Sequence, residues 1–205
     1  MIEKEMENNK VVLSGAVLFP PRFHHEVRRS CFYYTTVEIR RKSGTSDLLP
    51  VLIPEALLQD VVLERGTRIL VVGEFRSFNQ QENGQKHMLL SVTAQSLKVL
   101  PPGQADEDEI SLMGYICRQP TLRRTPFGRV ISDVLLAVNH SRWRVDYIPC
   151  ICWGRTAGKA GDLKVGDAVR VRGRIQSREY VKRAEGCPDT VKTAYEVSVI
   201  TLELV

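Results

Sequence analysis

The residues best suited to chemistry lie in one short stretch, numbers 141 to 154, which reads Ser-Arg-Trp-Arg-Val-Asp-Tyr-Ile-Pro-Cys-Ile-Cys-Trp-Gly. It contains both tryptophans of the chain, Trp143 and Trp153, with Tyr147 between them and arginines beside them. Aromatic rings stack on nucleic-acid bases for about 1–3 kcal/mol per base, while guanidinium groups follow the phosphates. Rings and cations mixed in this way are suited to holding a single-stranded nucleic acid of any base sequence.

The second half of this stretch alternates as a β-strand does. Ile148, Cys150 and Cys152 fall on one face, and Tyr147, Ile151 and Trp153 fall on the other. One face therefore suits a core, and the other presents rings among arginines. A large aromatic residue is by itself more often buried, and for both tryptophans a core position is the alternative.

Charge is distributed unevenly along the 205 residues, which carry a net charge of +5. Residues 110–205 contain 16 Lys and Arg against 9 Asp and Glu, whereas residues 1–100 contain 13 against 11. The positive charge of the second half fits a polyanionic partner. The acidic run at 106–109 is expected to be solvated, as charge runs usually are.

Several functional classes find little support. The five cysteines are few and lack zinc-finger spacing, so they are interpreted as small apolar fillers in a reducing cytosol. The sequence contains no glycine-rich phosphate loop, Gly-x-Ser-x-Gly or His-Glu-x-x-His motif. We therefore expect a non-enzymatic protein with no catalytic residue, metal or cofactor. Without a long apolar run or a signal-like N-terminus, we also expect a cytoplasmic, nucleoid-associated location.

The elements that position these residues recur along the chain. Residues 109–114 repeat the pattern of 10–15, and 148–152 repeat 49–53, both at an offset of 99. Gly166, Gly173 and Ser177 repeat Gly66, Gly73 and Ser77 at an offset of 100. A period of this length indicates a tandem duplication of one domain. We place the domains at residues 1–100 and 110–205, with a Pro- and acid-rich linker at 101–109.

Each copy shows about five strand patterns, with a short helix between the third and the fourth; in the first copy this helix is predicted within residues 54–63. Glycines at the strand ends suit the bends of a curled sheet. Together these features predict an all-β protein of two tandem OB-folds, which are five-stranded Greek-key barrels. A generic β-sandwich is the competing fold.

The second copy resembles the bacterial single-stranded DNA-binding protein family. The resemblance rests on an ordered set of segments over nearly all of residues 110–204, which are 110–114, 120–128, 136–139, 147–154 and 164–180. It implies four stacking positions, which fall on Trp143, Tyr147, Trp153 and Tyr180. Along the phosphate path we place Arg123, Arg124, Arg142, Arg155, Arg172, Arg174 and Arg178.

The first copy departs from this pattern, because its residues at the four stacking positions are Gly44, Leu48, Pro54 and Gln80. It therefore resembles an OB-fold that kept its scaffold and lost these rings. We expect it to serve mainly in assembly, with weak electrostatic contact to DNA through Arg28, Arg29, Arg40, Arg41 and Lys42. Its own aromatic residues are expected mostly to pack in the core or at an interface.

The residues and the resemblance together favour sequence-tolerant binding of single-stranded DNA in replication, recombination or repair. An assembly module of the primosome type, acting through protein contacts, is the alternative, and single-stranded RNA is a second possible ligand because stacking does not distinguish the sugars. The resemblance further implies a dimer of tandem chains with four OB-folds. The chain lacks the acidic C-terminal tail of the family, so no tail-mediated recruitment of repair enzymes is expected.

Overall fold

The computed structural model describes residues 8–82, 85–141, 144–184 and 187–205. Within these ranges the chain forms twelve strands, one α-helix and one 3-10 helix. The first copy contains β1 (Asn9–Val17), β2 (Arg22–Val27), β3 (Ser30–Arg40), β4 (Ser46–Pro54), the 3-10 helix (Glu55–Leu57), β5 (Arg68–Glu82) and β6 (Gln85–Val99). The second contains β7 (Glu107–Ile116), β8 (Thr121–Arg124), β9 (Val130–Ser141), β10 (Arg144–Trp153), α1 (Gly154–Gly161), β11 (Ala168–Ala184) and β12 (Cys187–Leu204).

Each copy closes into a barrel of five strands. In the first copy β3, β4, β6, β5 and β1 follow one another, and β1 returns to pair with β3. The second copy repeats this with β9, β10, β12, β11 and β7. These barrels are OB-folds, so the predicted fold is confirmed. The sequence analysis missed one strand per copy, β2 or β8, which forms a hairpin with the outer part of β3 or β9.

The side chains that fill the barrels come from alternate strand positions. Val11, Ile69 and Phe75 are fully buried in the first copy, as are Leu136 and Ile148 in the second. The same period-two pattern that predicted the strands therefore decides which face packs inward. The opposite faces are left to form surfaces.

Gly73 and Gly173 occupy the same corner of the two barrels. A Cβ atom at Gly73 would lie 2.1 Å from the carbonyl oxygen of Thr93, and one at Gly173 would lie 2.2 Å from that of Ser198. Beside each glycine the strand pairing shifts register. The two strands approach so closely there that only glycine fits, which explains why the pair recurs 100 residues apart.

The helix predicted after the third strand pattern differs between the copies. The second copy forms α1, whose Ala157 and Ala160 are fully buried against the barrel, because residues three apart share a helix face. The first copy forms only the 3-10 turn Glu55–Leu57, so the helix predicted within residues 54–63 is too long. Val61 and Val62 follow there, and β-branched side chains disfavour helix formation.

The two barrels join edge to edge through β1 and β7, which pair antiparallel and make one continuous sheet. Val11 lies opposite Ile110, and Asn9 lies opposite Leu112. Val11 and Ile110 are themselves equivalent residues, since they are 99 apart. The copies are therefore related by an approximate two-fold axis that passes through this residue pair.

The acidic run at 106–109 is part of the fold. The expectation that it is solvated holds for Glu107 and Glu109, which are exposed, and is wrong for Asp106 and Asp108, which are partly buried. β7 begins at Glu107, so the last three residues of the predicted linker form strand. Asp106 accepts a hydrogen bond of 2.7 Å from the backbone N–H of Arg40 and pairs with the guanidinium of Arg68. Asp108 accepts a hydrogen bond of 2.9 Å from the backbone N–H of Ile175. A charge pattern does not reveal such partners, because they come from distant strands.

Candidate nucleic-acid interface

Strand β10 presents Tyr147 on the outer surface of the second barrel. Ile148, Cys150 and Cys152 point into the core, whereas Tyr147 is 45% exposed. Ile151, predicted on the exposed face with Tyr147, is buried instead. The backbone N–H of Tyr147 donates a hydrogen bond of 2.9 Å to the hydroxyl of Ser77 in the first copy. This bond fixes the strand at the point where the ring leaves it.

Trp153 occupies the last position of β10, immediately before α1 begins at Gly154. Its side chain is half-buried, so it is neither a fully buried core residue nor a freely projecting ring. Gly154 adopts a φ of 52°, and this conformation turns the chain from strand to helix. Residues with a Cβ atom disfavour a positive φ, whereas glycine adopts it readily. The ring of Trp153 is thus held at the junction of two elements.

Tyr180 lies on the β11–β12 hairpin, which extends beyond the closed part of the barrel. Its side chain is 40% exposed. The guanidinium carbon of Arg178 lies 5.9 Å from the centre of the Tyr180 ring, which is within the range of a cation–π contact. A ring face with a cation beside it can receive both a base and a phosphate.

A groove of about 740 Å³, hereafter the central groove, runs between the two copies. Its walls include Tyr34, Leu52 and Phe78 from the first copy, and Pro149, Tyr180 and Tyr195 from the second. Pro149 lies two residues beyond Tyr147 on the same face of β10. The surfaces that carry Tyr147 and Tyr180 therefore meet at this groove.

Two of the predicted site residues, Trp143 and Arg142, lie outside the described residues. The remaining arginines fall into two groups. Arg124, Arg155, Arg172 and Arg178 are exposed. Arg123 is also exposed but donates two hydrogen bonds to Asp133, of 2.5 and 3.0 Å, and the half-buried Arg174 donates one of 3.1 Å to Asp47 of the first copy.

The contact between Arg174 and Asp47 belongs to a reciprocal set that the sequence analysis missed. Asp47 accepts hydrogen bonds from the backbone N–H and the hydroxyl of Ser177, at 2.7 and 3.3 Å. Asp146 accepts the same pair of bonds from Ser77, at 2.9 and 3.3 Å. Each copy therefore places one buried carboxylate against the long hairpin of the other. In the sequence, Asp47 and Asp146 recur at an offset of 99, and Ser77 and Ser177 at an offset of 100. This recurrence was a signal of equivalent positions, but it did not show that each aspartate contacts the serine of the other copy.

Arginines pair with both carboxylates at this junction. Burial by itself would raise the pKa of Asp47, but hydrogen bonds from Arg41 and Ser177 and the charges of Arg41 and Arg174 outweigh it, so the pKa lies below its usual value. Arg76 pairs with Asp146 at 2.7 Å. The junction is thus an ion-paired contact that fixes the two copies relative to each other.

The buried cysteines of β10 show the chemistry of core residues. Burial raises the pKa of the Cys150 thiol well above its usual value and raises that of Cys152 to about 12. Protonated thiols are poor nucleophiles and poor metal ligands. Within the described part of the chain, no three His, Cys, Asp or Glu side chains come together as a metal site would require. The helices in that part are also too short or too polar to cross a membrane.

Comparison with known proteins identifies the family. Residues 108–205 match the model of the single-strand binding protein family. The chain is 36% identical over 80 residues to single-stranded DNA-binding protein B of Bacillus subtilis, an alignment that covers 36% of this chain and 71% of that protein. The chain belongs to the single-strand binding protein family.

Other family proteins match over a smaller share of their length. Single-stranded DNA-binding protein 2 of Listeria innocua is 35% identical over 80 residues, which are 36% of this chain and 50% of that protein. The single-stranded DNA-binding protein of Thermus thermophilus is 28% identical over 132 residues, which are 56% of this chain and 50% of that protein. The chain thus spans about half the length of these two relatives.

The crystal structure of wild-type single-stranded DNA-binding protein from Thermus aquaticus has the same fold. It superimposes with a TM-score of 0.77 at 23% identity and covers 96% of this chain and 92% of that chain. Because nearly the whole chain is covered, the likeness includes both barrels. At this identity the comparison concerns the fold alone.

Proposed function

We propose that this protein binds single-stranded DNA with little preference for base sequence and that it serves replication, recombination or repair. The observation that carries the proposal is the pair of exposed rings, Tyr147 and Tyr180, on surfaces that meet at the central groove. Bases stack on these rings and on Trp153, and exposed arginines contact the phosphates. We place this activity in the domain at residues 110–205, the second of two domains.

The first test is a titration of tryptophan fluorescence with oligo-dT at low salt, repeated at high salt. Quenching that salt reverses is expected, because the phosphate contacts release bound counterions. The same titration with oligo-rU measures the preference for the sugar. If no oligonucleotide binds, an assembly role through protein contacts replaces this proposal.

Substitutions of the two tyrosines test the stacking directly. Tyr147→Ala and Tyr180→Ala should each weaken binding by about 1–3 kcal/mol, the usual contribution of one stacked base. Val62→Ala is the control, since Val62 is 81% exposed in the first copy and is not among the residues that line the central groove. Affinities of both variants equal to wild type, or an equal loss in the control, would refute the assigned surface.

The salt dependence distinguishes exposed arginines from the arginine at the junction. For a single strand, log K falls with log salt by about 0.7 per phosphate contact. We expect Arg124→Ala to reduce this slope by about one contact. Arg174→Ala should leave the slope unchanged, because Arg174 already pairs with Asp47. The opposite result would place the strand across the junction.

We further propose that two chains associate and bring four OB-folds together, as the family resemblance implies. Sedimentation equilibrium of the full chain should give the mass of two chains. The mass of a single chain would exclude this assembly without affecting the proposal of DNA binding.

A further inference from the structure

The first copy carries its own row of aromatic rings. This row does not include the positions equivalent to the predicted stacking residues, which are Gly44, Leu48, Pro54 and Gln80. Phe19, Tyr34, His24, His25 and Phe32 follow one another, with centroid distances of 5.7, 6.1, 4.9 and 4.9 Å; we call these five residues the ring row. The last two rings, His25 and Phe32, are nearly parallel, with 4° between their planes. Such a row offers π-faces to a chain of bases.

The hairpin that carries this row is open to solvent. Every residue of β2 is exposed except His25, which is half-buried. Within the ring row His24 is exposed and the other four residues are half-buried. On the opposite face of the hairpin, Phe23 is 61% exposed and its ring lies 6.2 Å from Tyr33, edge to face. All of these rings lie outside the fully buried barrel core, whereas most aromatic residues of this copy were expected in the core or at an interface. Exposed apolar groups of this extent usually mark an interaction surface.

The ring row begins where the surface of the second copy ends. His24, His25 and Tyr34 line the central groove opposite Tyr180 and Pro149. A single strand of DNA that stacks on Tyr180 and continues into the groove would therefore contact these rings next. The row is continuous with the proposed stacking surface.

Cations accompany the rings, as a polyanion requires. The guanidinium of Arg22 lies 5.2 Å from the centre of the Phe19 ring. Arg28 and Arg29 form the turn of the hairpin, both with positive φ, and Arg178 stands beside Tyr180 across the groove. Glu26 is the acidic residue on β2. The balance of charge on the hairpin is positive, which attracts a polyanion such as the phosphate backbone of DNA.

The two copies carry different side chains at equivalent positions of this hairpin. Tyr34 pairs with Arg22 across β2 and β3, and the equivalent residue in the second copy is Asp133, which pairs with Thr121. Asp133 binds Arg123 there. Where the second copy has an ion pair, the first copy has rings.

We propose that the ring row is a second stacking surface for the same single strand of DNA, reached from Tyr180 through the central groove. This inference rests on the proposed function. It replaces the expectation that the first copy acts mainly in assembly. Its occupant is single-stranded DNA because the row joins the stacking surface of the second copy and has cations at both ends.

The test compares short and long oligonucleotides on the full chain. One OB-fold occludes about 4–16 nucleotides, so oligo-dT of about 8 nucleotides fits the second copy and about 30 nucleotides spans both. The double variant His24→Ala/His25→Ala should bind the long oligonucleotide about tenfold more weakly and the short one as wild type does. Val99→Ala is the control, because Val99 is exposed and lies at the C-terminal end of β6.

Two additions make this result unambiguous. Titrations at about pH 8.5 keep an ordinary imidazole neutral, so that a loss reports the rings and not a charge. Oligo-dT that contains 5-iodouracil should form photocrosslinks within residues 19–34 of the wild-type chain. Because His24 and His25 both lie outside the core, thermal unfolding of the variant should match wild type.

Each contrary outcome has one meaning. Long-oligonucleotide affinity that is unchanged in the variant, with no crosslink in 19–34, overturns the inference and leaves the proposed function intact. Equal weakening for both lengths also overturns it, since the row would then not be a separate surface. A change in sedimentation mass with unchanged DNA affinity assigns the row to contact between chains. Failure of the wild-type chain to bind either length refutes the proposed function itself.

Discussion

Asp108 and Asn9 occupy equivalent places in the two copies, but only Asp108 can ionise. Asn9 exchanges two hydrogen bonds with the backbone of Phe75, of 2.7 and 2.9 Å. Asp108 accepts the corresponding bond from Ile175. Burial, together with the nearby charge of Asp47, raises the pKa of Asp108 to about 7 in spite of this bond and the neighbouring Arg174. An asparagine thus fits the same position without the cost of burying a charge.

This difference predicts how stability changes with pH. Because the folded-state pKa is raised to about 7, the folded protein keeps a proton that the unfolded chain loses above about pH 4. Stability therefore falls as pH rises between these values, and the penalty is complete above the folded pKa. At about pH 8, Asp108→Asn should raise the free energy of unfolding by about 1–3 kcal/mol. At about pH 4, where Asp108 is protonated in the folded state, the variant should resemble wild type.

Urea unfolding at the two pH values measures this effect. Glu109→Gln is the matched control, since Glu109 is an exposed neighbour on the same strand. An equal gain at both pH values would mean that the gain comes from packing and not from ionisation.

At the scale of elements, glycines decide whether the strands can close a barrel. In Gly173→Ala the added Cβ atom would clash with the carbonyl oxygen of Ser198. Because that oxygen belongs to the backbone, the backbone itself would have to shift. We expect it to lower the free energy of unfolding by about 1–3 kcal/mol or more. Gly158→Ala in α1 meets open space and should instead stabilise the protein by about 0.5–1 kcal/mol, the difference in helix propensity.

Thermal unfolding followed by circular dichroism compares the two glycine variants. The prediction concerns the sign as well as the size, because the two substitutions add the same methyl group. Equal melting temperatures for the two variants would show that the β11–β12 corner adapts to a side chain.

At the scale of the whole molecule, the two copies are fixed to each other by strand pairing and by buried carboxylates. Removing Asp47 would leave Arg41 and Arg174 without their common partner at the junction. Asp47→Ala should therefore lower stability by about 2–3 kcal/mol, somewhat less than a fully buried pair because both arginines are partly exposed. Asp133→Ala, which removes an exposed pair with Arg123, should cost less than about 1 kcal/mol.

Denaturant unfolding with probes in both copies measures this prediction. A junction that holds the copies together should give a single transition in the wild-type chain, and Asp47→Ala should shift it to lower denaturant. Similar losses for Asp47→Ala and Asp133→Ala would mean that the junction adds no more than a surface ion pair.

The sequence by itself determined the features that depend on neighbouring residues. Alternation along β10 placed Cys150 and Cys152 in the core, and the recurrence at 99 and 100 residues predicted two similar barrels. Strand periodicity and close-packed glycines leave a direct trace in the order of residues, because they arise from local geometry. The strand β2 escaped prediction because its exposed residues leave no alternating apolar pattern.

Only the tertiary structure decided which side chains meet across the two copies. Asp47 lies 130 residues from Ser177, and Tyr34 lines the same groove as Tyr180. Such contacts depend on strand register and on how the barrels join through β1 and β7. A shift of one residue in that pairing would turn every side chain of a strand to the opposite face, so composition and spacing could not show that Arg174 binds Asp47 or that the rings of the first copy form one row.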